Sequence, residues 1–259
     1  RFPSKLTSYF ETFINYKDSI ETIDRYGINL TQKFRFLDRS FFETNAVWES
    51  FSDNSKKENI EGRSIEQKSI SIKIQIDKRD SPLFTKRGFF FTGLFKSSGY
   101  FLGGQRDYLK ADIAVHAYTA IGYKSVFAVR MKTGYIWNWD TTIPDYSFEK
   151  FYLGGSTSMR GWDVLRFEEK NGKPWGDIYR LMTNIEYRVP IYRSIGMTIF
   201  TDGGILNNNL EKITIKNLNW DGGIGITLNT PLGPARLDYA VQFNRLKKGK
   251  IQLGVQSLF

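Results

Sequence analysis

Few side chains in this 259-residue chain carry reactive chemistry. It has no cysteine and a single histidine, His116. That excludes a thiol nucleophile, a disulfide scaffold, a Cys-based zinc site and a multi-histidine metal centre. No Gly-x-Ser-x-Gly nucleophile turn occurs, and the carboxylates form no clustered calcium loop. One arrangement has a different use. Arg160 lies in Phe151-Tyr152-Leu153-Gly154-Gly155-Ser156-Thr157-Ser158-Met159-Arg160-Gly161-Trp162, within the longest connection of the chain. A plain surface loop does not need so many aromatics. Gly154 and Gly155 permit a tight turn, and Gly161 lets the backbone approach a wall. A guanidinium held among apolar neighbours needs a carboxylate partner. Two candidates follow: Glu186, in Asn184-Ile185-Glu186-Tyr187-Arg188, and Asp202, in Phe200-Thr201-Asp202-Gly203-Gly204. The chemistry this points to is anchoring by ion pairs, not bond making.

The elements that must position these groups read as strands. At residues 69–76 Ile70, Ile72, Ile74 and Ile76 alternate with Ser69, Ser71, Lys73 and Gln75. Period two puts the two sets on opposite faces. Tyr179, Leu181, Thr183, Ile185, Tyr187 and Val189 likewise oppose Arg180, Asn184, Glu186 and Arg188, and Leu237, Tyr239, Val241 and Phe243 oppose Arg236, Asp238 and Gln242. About twelve such segments occur, near 5–17, 22–37, 40–52, 67–78, 88–100, 106–119, 124–138, 175–190, 194–206, 217–229, 234–245 and 249–259. Most run roughly 9–13 residues, the length a tilted strand needs to cross a bilayer. A soluble sandwich would use strands of about 5–6 residues. Short links near 192–194 and 231–233 alternate with long ones at 52–66 and 138–175, the outer-membrane pattern of short turns at one rim and long loops at the other.

Composition agrees with that class. The chain is 41% hydrophobic and 16% aromatic, without a run of 18 apolar residues that would make a transmembrane helix. Its mean hydropathy of −0.39 looks soluble, yet a polar lumen and polar loops dilute the hydropathy of a barrel. The net charge of +10 is spread over strands and loops, as at Lys56-Lys57 and Lys247-Lys248. With no basic stripe, nucleic acid is not expected; anionic lipid headgroups or lipopolysaccharide phosphates suit it better. His116 lies on a polar strand face and reads as a lumen residue. The chain begins at Arg1 without Met, which fits a mature product or a fragment.

Four motifs in order resemble the outer-membrane protein insertion barrels, the superfamily of BamA, TamA and the two-partner secretion transporters. Met159-Arg160-Gly161-Trp162 resembles its Val-Arg-Gly-Tyr/Phe motif. Phe200-Thr201-Asp202-Gly203-Gly204 is similar to Phe-x-Asp-x-Gly. Residues 232–239, Leu-Gly-Pro-Ala-Arg-Leu-Asp-Tyr, resemble its penultimate strand, and residues 77–88 resemble its Asp-x-Arg-Asp-x-Pro turn, with Thr85 where a second Pro is expected. The C-terminal strand is similar to an outer-membrane β-signal at Gln252, Gly254 and the terminal Phe259, while Ser257 departs from it.

The resemblance implies an all-β fold: a transmembrane antiparallel β-barrel of sixteen strands, of which residues 1–259 form the C-terminal part, about twelve strands. N-terminal strands and periplasmic POTRA domains are expected upstream. It implies an Arg-Gly loop folded inward, anchored by Arg160 and Gly161 on Glu186 and Asp202, with Met159, Trp162, Phe200 and Gly204 completing the motifs. The implied function is folding and insertion of β-barrel proteins into the outer membrane, with no cofactor, no metal and no bond chemistry. Unfolded outer-membrane proteins are the implied clients; accessory lipoproteins and outer-membrane lipid or lipopolysaccharide are further expected partners. TamA-like assembly or two-partner secretion would share these motifs. The alternatives of another class are the barrel of a patatin-like lipase whose enzyme domain is absent, and a passive porin.

Overall fold

The computed structural model describes residues 5–13, 23–53, 65–122, 124–139, 149–231, 233–244 and 249–255. Their strands are β1 (Lys5–Phe13), β2 (Ile23–Leu37), β3 (Ser40–Asp53), β4 (Ile65–Asp77), β5 (Gly88–Ser98), β6 (Tyr108–Ile121), β7 (Ser125–Trp137), β8 (Glu169–Lys170), β9 (Lys173–Pro174), β10 (Tyr179–Tyr192), β11 (Ile195–Asn207), β12 (Asn219–Thr230), β13 (Gly233–Gln242) and β14 (Gly249–Val255). One sheet takes twelve of them in the order β1-β2-β3-β4-β5-β6-β7-β10-β11-β12-β13-β14. Sequential strands are neighbours throughout, so the fold is all-β and antiparallel. Each long strand coincides with one of the alternating segments of the sequence. The expected 88–100 strand stops at Ser98, where Gly99 (φ 75°) turns the chain into a 3-10 turn at Tyr100–Leu102. Phe259 and its preceding residues 256–258 lie outside the described residues, as do residues 14–17.

Two compact units make up the chain. The first comprises Arg1–Ile76, Thr92–Ile113 and Tyr135–Lys150. Here β2, β3 and β4 pair with Phe34 opposite Phe42 and Phe42 opposite Ile74. Phe34 and Ile74 are exposed on this face, whereas Thr31, Gln67 and Ser69 on the other are buried. Tyr26 stacks edge-on against Trp48 at 6.4 Å near the long-connection ends of these strands, the position of an aromatic girdle.

The second unit comprises Asp77–Phe91, Ala114–Gly134 and Phe151–Phe259. Ile226, Leu237 and Leu253 face one another in register on β12, β13 and β14. Leu253 is 74% and Ile224 58% exposed, while Asp202 and Arg160 are fully buried. This polarity is inverted relative to a soluble sandwich, whose apolar faces would meet in a core. Apolar outside and polar inside is the distribution a strand needs between lipid and a lumen. On β10, Met182, Asn184 and Glu186 are buried, and Tyr187 faces outward with Leu181 and Ile185. His116 is buried on β6 and meets the Phe90 ring edge-on at 5.2 Å.

Connections alternate in length. Between β10 and β11 there are two residues, Arg193 and Ser194, with Arg193 at φ 47°; the link from β7 to β10 runs from 138 to 178. Within it β8 and β9 form a hairpin around Asn171 (φ 53°) and Gly172 (φ 72°). An Asn-Gly pair with both φ positive matches the twist of its flanking strands. The β4–β5 turn is internally tied. Asp77 takes Nε and Nη2 of Arg79 at 3.0 Å each, and Asp80 Oδ1 accepts the backbone N–H groups of Ser81 and Lys86.

A charge on the outward face tests this orientation. Leu237→Arg sits in the middle of β13, and we expect it to destabilise the folded protein in lipid vesicles by about 2–4 kcal/mol. Denaturant unfolding of the variant and parent measures it. An unchanged midpoint would show that this face does not meet hydrocarbon.

Candidate functional site

The polar face of β10–β13 converges on one side chain. Alternate residues of a strand share a face, so β10 presents Asn184 and Glu186, β11 presents Phe200, Asp202 and Gly204, β12 presents Asp221, and β13 presents Arg236 and Asp238. Register sets Asn184 opposite Asp202, and Asp202 opposite Asp221. Into this patch the connection 151–167 lowers Arg160.

Arg160 is gripped on every edge. Its Nε and Nη2 donate to Asp202 Oδ2 and Oδ1 at 2.8 and 2.7 Å, a bidentate pair, and its backbone N–H donates to the same Oδ2 at 3.2 Å. Nη1 reaches Glu186 Oε1 at 2.7 Å and Asp238 Oδ2 at 3.5 Å. The guanidinium carbon lies 3.4 Å above the centre of the Phe200 ring. Burial disfavours this charge, but Asp202 and Glu186 override it, so the guanidinium is more basic than usual. Lysine could supply one charge but not the planar fork.

The partners are themselves held. Asn184 Nδ2 donates to Asp202 Oδ1 and to the Ser158 carbonyl, both at 2.7 Å, and Asn184 Oδ1 accepts Nε and Nη2 of Arg130 at 2.8 and 2.7 Å. Arg188 binds the other oxygen of Glu186 at 2.7 Å. The Gly161 N–H donates to Asp221 Oδ2 at 2.9 Å. Four arginines, Arg130, Arg160, Arg188 and Arg236, thus face four carboxylates, Glu186, Asp202, Asp221 and Asp238.

Small residues make the approach possible. A Cβ on Gly161 would meet Asp221 Cβ at 2.7 Å, and one on Gly204 would meet the Met159 sulfur at 2.8 Å. Met159 is fully buried there beside Leu153, and Trp162 packs on Phe167 with centroids 4.9 Å apart. The last two strands join in. Gln252 Nε2 donates to the carbonyls of Arg160 and Trp162 at 3.3 and 2.9 Å, Gln242 Nε2 donates to the Gly161 carbonyl at 2.7 Å, and Lys250 pairs with Asp163 at 2.7 Å. A Cβ on Gly254 would come within 2.9 Å of Arg236 Nη2.

The structure therefore brings together Met159, Arg160, Gly161, Glu186, Phe200, Asp202 and Gly204, and ties Gln252 to them. Sequence reasoning did not assign Arg130, Asp221, Arg236 or Asp238 to the cluster. Their signal was parity: each is a charged residue on the inward face of a strand near the motifs. The Arg160 ion pairs are fully buried.

The first unit anchors the same connection at another point. Glu149 Oε1 accepts Lys96 Nζ at 2.7 Å, and Lys110 Nζ binds Glu149 Oε2 at 3.2 Å and the Glu149 carbonyl at 2.6 Å. Trp139 lies 5.6 Å from the Tyr108 ring, with the Arg106 guanidinium 4.8 Å from its own. Burial alone would raise the Glu149 carboxyl, but Lys96 and Lys110 hold it well below the usual carboxylate range.

Two outcomes follow from this geometry. Arg160→Ala leaves buried carboxylates facing one another, and we expect a loss of about 3–5 kcal/mol, seen as protease cleavage within residues 151–167 while the strands persist. A double-mutant cycle with Asp202→Ala should show strong coupling; additive losses and a protected loop would place the anchor elsewhere. The Glu149 carboxyl is depressed on folding, so its contribution is complete above the unfolded value and lost only as pH falls through the lower folded one. Hydrogen-exchange protection around Glu149 should therefore survive acidification through about pH 4.3, the ordinary glutamate value, and vanish in Glu149→Gln. Loss near the ordinary value in the parent protein would contradict the assignment.

Known proteins carry the same architecture. A family model described as the Omp85 superfamily domain matches residues 4–257. A curated relative, the outer membrane protein assembly factor BamA of Nitratidesulfovibrio vulgaris, is 25% identical over 190 residues, covering 69% of this chain and 23% of that protein. This chain thus corresponds to under a quarter of the relative's length. The crystal structure of BamA from Haemophilus ducreyi lacking POTRA domains 1–3 superposes with a TM-score of 0.74 at 15% identity, over 96% of this chain and 57% of that one. The chain belongs to the Omp85 superfamily, a family of bacterial outer-membrane β-barrels.

Proposed function

We propose that this chain is the C-terminal part of an outer-membrane assembly barrel that folds client β-barrel proteins and inserts them, in the manner of BamA. The observation that carries this reading is the buried Arg160 cluster and its link to β14 through Gln252. A diffusion pore gains nothing from a connection ion-paired across its polar face. A barrel that templates strands needs its edge strand held in fixed register while that edge stays available for pairing. β14 ends the sheet order, and the connection grips it by Gln252 and Lys250. A client strand pairing with such an edge would gain backbone hydrogen bonds, the chemistry of β-augmentation. Arg160, Gly161, Glu186 and Asp202 act as the anchor, and Phe200, Met159, Trp162 and Gly204 shape its seat. No step of this work makes or breaks a covalent bond, and none needs a metal or cofactor.

The partners are unfolded outer-membrane proteins, with accessory lipoproteins and outer-membrane lipid or lipopolysaccharide around the barrel. Further N-terminal strands and POTRA domains upstream complete the sixteen-strand barrel. Depletion of the full-length protein in its host tests the reading. The expected result is a broad loss of β-barrel proteins from the outer membrane, restored by the wild type and not by Arg160→Ala. Retention of those proteins with loss of one secreted protein would assign a secretion transporter; loss of a lipase activity alone would assign a lipase barrel.

A further inference from the structure

The short connections gather cations around one cavity. About 370 Å³ in volume, it is lined by the β4–β5 turn at 83–86, by Lys124 between β6 and β7, by Arg193 between β10 and β11, and by Asn229 and Pro234 beside the β12–β13 turn. All of these belong to the second unit. Its charged lining is Lys86, Lys124, Arg188, Arg193 and Arg236, and no carboxylate lines it among the described residues.

Arg236 is the informative member. It is only 7% exposed, and among the described residues its Nε and Nη1 have no hydrogen-bond partner. The carboxylate oxygens nearby stand off, Glu186 at 3.6 Å from Nη1 and Asp238 at 3.8 Å from Nη2, and Nη2 donates to the Ser156 carbonyl at 3.2 Å. Glu186 is already taken by Arg160 and Arg188. A buried guanidinium with unused N–H groups is costly unless an oxygen acceptor arrives. Around it Lys86, Lys124 and Arg193 are exposed at the rim, and Leu83 and Phe84 add apolar surface, each about two-fifths exposed.

We propose that this cavity binds an acidic peptide, with Arg236, Lys86, Lys124 and Arg193 taking its carboxylates and Phe84 and Leu83 taking an apolar side chain beside them. A lipid is the poorer occupant. The charged wall of the cavity, with Arg188, Thr198 and Arg236, belongs to the polar face of β10–β13, opposite the face where Ile224 and Leu237 are exposed; Val189 and Met197 reach it only at the strand ends, so an acyl chain on the outer face does not lie along the cationic wall. The carboxylate can come from a side chain or from a chain terminus. The proposal stands on this geometry whether or not the assembly reading holds.

The test uses the full-length protein in detergent micelles and a rhodamine-labelled eight-residue peptide of alternating Glu and Leu, read by fluorescence anisotropy. The same peptide with Gln for Glu, once amidated and once with a free C-terminus, separates the two carboxylate sources. The Glu peptide should bind at least about tenfold more tightly than the amidated Gln peptide, and 0.5 M salt should erase the difference. Side-chain recognition predicts that the free terminus adds little; terminus recognition predicts that it restores binding, and either supports the site. Lys86→Glu and Arg193→Asp lie in exposed turns, should leave folding intact as checked by heat-modifiable gel mobility, and should each weaken binding about fivefold. Equal affinity for all peptides, binding untouched by both variants, or displacement by phosphatidylglycerol but not by unlabelled Glu peptide would each overturn the proposal.

Discussion

A guanidinium without water must be neutralised where it stands, and much of the second unit is arranged around that requirement. Arg160 carries its charge into a fully buried position, so two oxygens of Asp202 and one each from Glu186 and Asp238 converge on it. Those carboxylates are themselves unwanted in isolation, which brings in Arg188 on the far oxygen of Glu186 and Asn184 on Asp202. Asn184 in turn needs Arg130 for its carbonyl oxygen. Breaking one buried pair leaves its neighbours uncompensated, so such networks are specific before they are stabilising. The connection has one low-energy seat and no graded alternatives.

That seat also fixes an edge. A strand at the end of a sheet has half of its backbone groups without a ladder partner and is free to slip. β14 is seven residues long and highly exposed on its outward face. Its inward face is caught by two carbonyls of the anchored connection through Gln252 and by Asp163 through Lys250. The same polar residues that line the inner face therefore hold a strand that stands at an end of the sheet order. Membrane orientation and loop anchoring are two uses of one alternation.

The strands were legible because period two is strong when one face meets lipid and the other does not; a soluble edge strand would have blurred it. Glu186 and Asp202 were legible as partners from their inward parity and the motifs around them. Asp221 and Asp238 were not, because parity names a face without naming which inward charges meet. That needs register: Asp202 opposite Asp221, and Asp238 one strand further on. The degree of burial was hidden for a related reason. Whether water reaches Arg160 depends on how tightly Met159, Leu153 and Phe200 close around it, and packing of that kind leaves no period in a sequence. The hairpin of β8 and β9 was marked by Asn171-Gly172, yet two residues per strand are too few for alternation to register.

Charge along the inner face is not uniform, and its gradient follows from how each part is solvated. Around Arg160, where water is excluded, four arginines meet four carboxylates and the field closes on itself. Toward the short turns the balance ends. Lys86, Lys124 and Arg193 add positive charge to a cavity wall that carries no acid among the described residues, and Arg236 reaches both regions with only part of its guanidinium used. Exposed lysines and arginines can keep their own water at such a rim. The positive excess of the whole chain is thus tolerable where it lies at a wet rim and impossible where the connection is seated. Arg188 and Arg236 stand at that boundary, Arg188 paired with Glu186 and Arg236 only partly satisfied from within.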